Sequence, residues 1–468
     1  MKFSDAKESL LDFWREFRMV KSGLFGLVLF LLFLAIVIFE PFILPFPDVN
    51  KTWRDITYWE ENPKGAPPVW INWFSAKKRP LTQVFEDPKN TEAEMGNMKM
   101  VSTVFEYELQ ADYSPQDLIF KARASGEPMF IVTLKRPDGE EVTVFQNSIN
   151  LGNKVTDVRI TLNGNGRENA IYFARPYESD ENYAVITPKL VKAADVVFSQ
   201  AKEGIFRNPE TLKGTYEIVV QTILRSANDQ YMEPRLVVPG KAFGVLGTDA
   251  LKRDIWSGVL AGVKWALLIG ILTAVVSVSI GVIYGVISAY LGGWKDGLMQ
   301  RIFEIFVSVP LLPVLIVMSA VFKPSIWTLI IMMSCFFWTG SVKTVRSIAL
   351  QIKEETYIEA SKALGANNFR IIFKHMVPLL IPYSFASMAL YIPGAIVYEA
   401  TISLLGLGDA TIVTWGQILS DALSSGAVLS GLWWWVVPPG LSIAFMGMAF
   451  AFIGFAMDKI LHPKLRTR

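Results

Sequence analysis

Only two histidines, His375 and His462, and one cysteine, Cys335, occur among 468 residues. A structural zinc site takes four Cys or His ligands, and a Ser-His-Asp triad needs a histidine between nucleophile and carboxylate. So sparse a set makes both improbable. Cys335 sits in an apolar run and has no partner for an intramolecular disulfide. No G-x-x-x-x-G-K-[S/T] run is present to cradle nucleotide phosphates, and there is no H-E-x-x-H pair or nucleophile elbow. Two acids, Glu304 and Glu399, interrupt apolar runs, where an ionisable side chain usually signals function. Glu304 lies close to one end of its run, and Glu399 about 17 residues into its own. Neither is at mid-depth, where a proton or Na⁺ relay belongs. Each reads either as an acid hydrogen-bonded at a helix end or, for Glu399, as part of the mouth of a pathway.

The stretch that organises the chain is polar: residues 354–382, EETYIEASKALGANNFRIIFKHMVPLLIP, between two apolar runs. Its first part favours a helix. Tyr357, Ser361 and Leu364 fall on one face, and Ala360, Ala363 and Leu364 on the neighbouring one. Gly365 is placed to stop this helix. Asn367 or Asn368 can cap a second short one, which Pro378 limits. The outward face is small, so another protein could approach closely. A plain connecting loop needs none of this, and the segment reads as a docking element.

The same residues resemble a known family. Glu359-Ala360-Ser361, then Gly365, then His375-Met376-Val377-Pro378 look like the EAA loop of ABC importer permeases. The general pattern has Ala where Ser361 stands and Ile-x-Leu-Pro at 375–378; the His variant is usual in the oligopeptide, dipeptide and nickel branch. Three more stretches come in family order. Leu246-Gly247-Thr248-Asp249 with Arg253-Asp254 and Ser257 precedes the second span, Lys252 standing where the family has Gly. Gly292-Gly293-Trp294 with Asp296 and Arg301 resembles the first cytoplasmic turn. Glu399-Ala400-Thr401-Ile402-Ser403-Leu404-Leu405-Gly406-Leu407-Gly408, with Trp415-Gly416, resembles the segment after the fifth span. The resemblance covers 246–468, is silent on 45–245, and fits the C-type half of a permease pair best. It implies an α-helical polytopic membrane protein with the ABC importer permease fold of six transmembrane helices. It also implies an ATPase-coupling loop carried by Tyr357, Glu359, Ala360, Ser361, Ala363, Leu364, Gly365, His375 and Pro378. Glu359 would meet a cation of the ATPase or its own neighbour Lys362. Glu399, Ser403, Gly406 and Gly408 are candidates for an outer gate or translocation path.

Composition agrees with a mixed architecture: 51% hydrophobic is too apolar for an ordinary soluble protein, and 19% charged is too polar for membrane helices alone. A net charge of +2 implies no nucleic-acid or polyanion partner. Residues 1–22 are basic and amphipathic, with Lys2, Lys7, Arg15, Arg18 and Lys21. The apolar run 23–44 is long enough to span a bilayer, and it is read as a retained span because Pro45-Phe46-Pro47 comes after it rather than a cleavage site. Further spans are expected at 263–291, 302–322, 326–342, 383–405 and 434–456. Between the first two lies a soluble insertion of about 200 residues, enough for a domain. There Val101, Thr103, Phe105, Tyr107 and Leu109 alternate with polar residues. Phe130–Leu134 and Val142–Phe145 flank a Pro-Asp-Gly turn, and 216–220 is a late strand. A β-sandwich, of immunoglobulin type, is the expectation. Trp70–Phe74 is expected in its core or in an interfacial belt, and Trp433-Trp434-Trp435 as an interfacial anchor.

Lysine and arginine set the orientation. They populate the N-terminal tail, the 292–301 turn, the 343–374 loop and the C-terminal Lys459, Lys464, Arg466 and Arg468, and are absent from 406–433. The expected scheme is therefore 1–44 as cytoplasmic tail and first helix, 45–247 as an extracytoplasmic β-rich domain, and 248–468 as a domain of five helices carrying the coupling loop. Both termini are then cytoplasmic, with about 45–255 outside the inner membrane. By resemblance the chain binds no cofactor and is no enzyme; ATP is used by partners. Those are two ATP-binding cassette subunits, a second permease and an extracytoplasmic solute-binding protein, with membrane lipid around and no nucleic acid. Two rival classes predict other features. An ion-coupled secondary transporter calls for mid-membrane charge and inverted repeats. A membrane-anchored receptor or enzyme calls for reactive residues in 45–245, which holds no His or Cys.

Overall fold

A computed structural model describes residues 13–46, 48–95, 98–226 and 229–461. Lys2, Lys7, Pro47, His462, Lys464, Arg466 and Arg468 lie outside the described residues. The chain forms two compact units: Met1–Arg54 with Ser257–Arg468, and Asp55–Trp256.

The first unit is helical. Helix α1 spans Lys21–Ile43 and α2 spans Ile255–Leu291, starting earlier than the expected 263. Next come α3 (Gly293–Ser308), α4 (Leu311–Val321), α5 (Ile326–Phe337), α6 (Thr339–Lys353) and the short α7 (Thr356–Ala363). Helix α8 (Ile381–Leu404) ends a longer helical run from Asn368, and α9 (Trp415–Ser424) and α10 (Trp433–Leu461) complete the unit. Among the described residues, four runs are long and apolar enough to cross a membrane, or up to six if each bent pair is one span. The bent pairs are α3 with α4, at 79°, and α5 with α6, at 42°. The first break has a local cause. Val309 is extended, as a residue before proline prefers, and Pro310 has no N–H with which to continue α3.

Helix α1 packs along α10 through Phe30 against Phe450 (ring centroids 5.3 Å) and Phe25 against Phe452 (6.0 Å). Polar contacts hold its far end and the short helix Val49–Thr52 that follows. Glu40 accepts from Lys264 at 2.7 Å, and Asn50 Oδ1 accepts from the Trp265 indole and the Val413 N–H, both at 3.0 Å. Trp434 and Trp435 are buried and only Trp433 is substantially exposed. Successive helical residues point about 100° apart, so three in a row cannot all face the interface. Glu304 is exposed and accepts from Arg301 at 2.7 Å, an ordinary i, i+3 pair.

The second unit is a sandwich of two antiparallel sheets. One has the order β1-β9-β4-β7 and the other β2-β3-β8-β5-β6. The strands are β1 Gln83–Phe85, β2 Lys89–Met95, β3 Met98–Leu109, β4 Ile119–Gly126, β5 Met129–Lys135, β6 Glu141–Ser148, β7 Gly152–Thr161, β8 Gly214–Leu224 and β9 Tyr231–Val238. The alternation along β3 is real: Val101, Thr103, Phe105, Tyr107 and Leu109 are all buried. So is the β5–β6 hairpin, closed at 136–139, where the Gly139 N–H donates to Arg136 O at 3.1 Å. The strand order is not that of an immunoglobulin domain. The first long strand, β3, lies beside β8, and the last, β9, beside β4, exchanging the places that the terminal strands hold there. Alternation reports which face of a strand is buried and carries no information about its neighbours. Between β7 and β8 the chain turns helical at Arg167–Ala174, Asp180–Ala184 and Ala193–Val197, and Ala170, Ala174, Val196 and Val197 join the core. Trp73 and Phe74 are largely exposed, whereas Trp59 is buried.

Candidate coupling site

Helix α7 forms where the residue types favour it and is fastened by one side chain. Ile358 is buried in a cluster with Val345, Ala349, Ile371, Ile372 and Met376. On its other side Glu359, Ala360, Ala363 and Leu364 face outward, with Leu364 89% exposed. Tyr357 is also exposed, and Ser361 turns its hydroxyl back on the Tyr357 carbonyl at 2.8 Å. No ion pair joins Glu359 and Lys362 among the described residues, so the carboxylate is open to an outside cation.

The helix stop is a complete Schellman motif. Gly365 has φ +84°; its N–H donates to Lys362 O at 3.0 Å, and the Ala366 N–H to Ser361 O at 3.1 Å. Asn367 caps the next helical turn, its side chain accepting from the Arg370 N–H at 2.8 Å. Asn368 instead accepts from the Tyr290 hydroxyl at 3.0 Å, which ties this turn to the end of α2. Pro378 does not limit a second short helix. Residues Ile371–Met376 form a π-helical turn, Val377–Leu380 a 3-10 turn, and the run continues to Leu404. The change of hydrogen-bond register around Pro378 accommodates its missing donor, so the helical run continues rather than stops. His375 is half-buried on this run.

Beneath the loop, Arg346 forms a two-pronged pair with Asp296, at 2.9 and 2.5 Å. Asp296 also accepts from Ser288, and Lys353 donates to Ala289 O at 3.3 Å. Thus α6, leading into residues 354–382, is latched to the α2–α3 turn. The family resemblance points to Asp296 but not to the roles of Arg346 or Tyr290, whose partners lie far along the chain.

The second set of candidates divides. Glu399 is buried and accepts from Ser403 Oγ at 2.7 Å. Gly408 packs against Ser403, and Gly416 brings α9 so close to α8 that a Cβ there would lie 2.7 Å from both Ala400 Cα and Ser403 Cβ. Gln417 on the same helix accepts from Arg54 at 2.8 Å. Gly406 stands apart, exposed at the turn that ends α8. The Asp409 carboxylate accepts from the Ile326 N–H at 3.0 Å and from Thr411, fixing the loop to the start of α5. Glu399, Ser403 and Gly408 are therefore gathered in one buried joint between α8 and α9.

Known proteins resemble this chain in the same regions. The family model described as "Binding-protein-dependent transport system inner membrane component" matches residues 281–467, and "N-terminal TM domain of oligopeptide transport permease C" matches 9–63. Residues 64–280 lie outside both. The dipeptide transport system permease protein DppC of Bacillus subtilis is 36% identical over 230 residues, 49% of this chain and 71% of that protein. The oligopeptide transport system permease protein OppC of the same organism is 37% identical over 47% of this chain and 72% of its own length. OppC of Haemophilus influenzae is 34% identical, over 48% and 72%. An inward-facing structure of the MetNI methionine ABC transporter covers 44% of this chain and 94% of that one at 19% identity. Its TM-score of 0.34 is too low to bear on the fold. With helices fit to cross a bilayer, an EAA-type loop and relatives matched over two thirds of their length, the chain belongs to the binding-protein-dependent transport system inner membrane components, the multi-pass permease subunits of ABC importers.

Proposed function

We propose that this permease moves peptides or similar small solutes across the cytoplasmic membrane by alternating access. It does so paired with a second permease and fed by an extracytoplasmic solute-binding protein. Two ATP-binding cassette subunits bind and hydrolyse the ATP, and this chain holds no cofactor of its own. The observation that carries the reading is the 354–382 segment. It is anchored by Ile358, stopped by Gly365, and presents Ala360, Ala363 and the 89% exposed Leu364 to a partner. Closure of the ATPase pair would move it as a rigid body, and the Arg346–Asp296 latch would pass the motion to α2 and α3. Similarity to peptide permeases over about half of the chain supports the solute class. In this scheme each bent pair counts as one span, giving six. Residues 1–44 hold the tail and first helix, 45–247 the outer domain, and 248–468 the remaining helices. The joint of Glu399, Ser403 and Gly408, with the Gly406 turn, lies at the outer mouth.

Orientation is testable with single cysteines in a Cys335→Ser background. In intact spheroplasts an impermeant maleimide is expected to label Lys154→Cys, in the β unit. Leu364→Cys should be labelled only after permeabilisation. The opposite pattern would place the coupling segment outside, away from ATP, and end the proposal.

A further inference from the structure

The sandwich unit carries a cleft of about 660 Å³. Seven Lys and Arg side chains line it against two carboxylates, Asp117 and Asp195. Elsewhere on this unit cations are regularly matched: Lys121 to Glu60 and Glu61, Arg159 to Glu60, Arg235 to Glu61 and Glu86, Lys213 to Asp112. In the cleft most of them are not. Among the described residues, Lys64, Arg167, Lys189 and Lys192 have no carboxylate within 4 Å. The two carboxylates are occupied: Asp195 by Lys241 at 2.7 Å and by Ser114, and Asp117 by the N–H groups of Leu118 (2.9 Å) and Asn163 (3.0 Å).

The floor is built rather than incidental. Gln116 and the Lys64 backbone exchange two hydrogen bonds of 2.7 Å. Asn163 donates to Gln116 O at 2.6 Å and accepts from the Ala194 N–H at 3.2 Å. Four segments, at residues 64, 116, 163 and 194, are thereby fixed around one hollow before any ligand arrives. At its edge the Arg167 Nε is buried and has no hydrogen-bond acceptor among the described residues, a costly state for a guanidinium. Burial also pushes the Lys252 ammonium below its ordinary range, and nearby negative charge would offset that. The chain's net charge of +2 conceals all of this, because the excess is local.

We propose that this cleft binds a small polyanion carrying several carboxylate or phosphate groups, seated on Arg167, Lys64 and Lys192. Its volume lies within the range of ordinary small-molecule sites, and concentrated like charge in a concave wall attracts a compact counter-charge. The inference is independent of which solute the helices carry.

The test is calorimetric titration of the full-length protein in detergent at 150 mM salt with citrate, pyrophosphate and the tripeptide Glu-Glu-Glu in turn. At least one is expected to bind saturably at one per chain, and the three arms separate carboxylate, phosphate and acidic-peptide sources. Arg167→Gln and Lys192→Gln should each weaken it about tenfold, the loss expected for one charged hydrogen bond. Lys154→Gln, on the same unit but outside the cleft, should leave it unchanged. A melting scan confirms that each variant is folded. No saturable binding of any probe would overturn the proposal, as would equal weakening by Lys154→Gln. Capture of an acidic protein segment without small-anion binding would overturn it too.

Discussion

Replacing Gly365 with proline is expected to cut solute uptake by about a hundredfold or more while the protein still inserts in the membrane at normal levels. The glycine sits at φ +84°, whereas proline is fixed near −65°. Proline also removes the N–H that donates to Lys362 O, so the Schellman stop is lost and the angle between α7 and the Asn367-capped turn changes. Nothing lies within 4 Å of the position a Cβ would take, so the effect is one of backbone conformation and not of crowding. The buried anchor at Ile358 is untouched, which is why insertion and folding should survive. Gly365→Asn separates the two causes: Asn tolerates the left-handed region at about 1 kcal/mol and keeps its N–H, so much of the uptake should remain. Uptake of radiolabelled peptide into cells, normalised to the permease in the membrane fraction, reads both variants. Normal uptake by Gly365→Pro would mean that the geometry of this stop does not matter to transport.

The second large effect lies in the sandwich unit. Arg253→Met should destabilise that unit by about 3–5 kcal/mol, the usual consequence of orphaning a buried charge. Asp249 and Arg253 are almost wholly buried, and Arg253 Nε donates to Asp249 Oδ2 at 2.5 Å. Asp249 Oδ1 meanwhile accepts from the Leu251 and Arg253 N–H groups, each at 2.8 Å. This pair folds the 248–254 turn, in which Lys252 takes φ +67°, a left-handed conformation that favours glycine. The Lys252 side chain compensates by donating to Glu60 O at 2.8 Å. For a unit of this size the loss should appear as roughly a 10 °C drop in apparent melting temperature. Adding Asp249→Asn removes the orphaned charge but keeps an acceptor for the two N–H groups, and should recover at least half of that drop. If the single and double variants melt together, the ion pair is not what holds the turn.

How much of this is legible in the sequence depends on the range of each interaction. The α7 stop and the Asn367 cap span six residues or fewer, so residue types and spacing determine them, and both can be read directly. The alternation of β3 and the β5–β6 hairpin are legible for the same reason. The Lys89–Met95 strand is not, because KNTEAEM has no apolar alternation and is held by backbone pairing to β3. The break at Pro310 is in view but hidden inside a continuous apolar run. Pro378 misleads in the opposite direction, since a π turn absorbs what would otherwise end a helix. The sandwich's strand order, the Arg346–Asp296 latch and the cationic cleft join residues that are tens to more than a hundred positions apart. Only the folded chain brings them together.

The central claim is that residues 354–382 dock on ATPase subunits. Gentle detergent purification through a tag on this chain tests it most directly, with whatever accompanies it identified by mass spectrometry. A second permease and P-loop ATPases are the expected companions. A Glu359→Lys, Gly365→Pro variant should lose the ATPases while keeping the permease. A stable, monodisperse chain recovered alone, or ATPases retained in full by that variant, would contradict the claim.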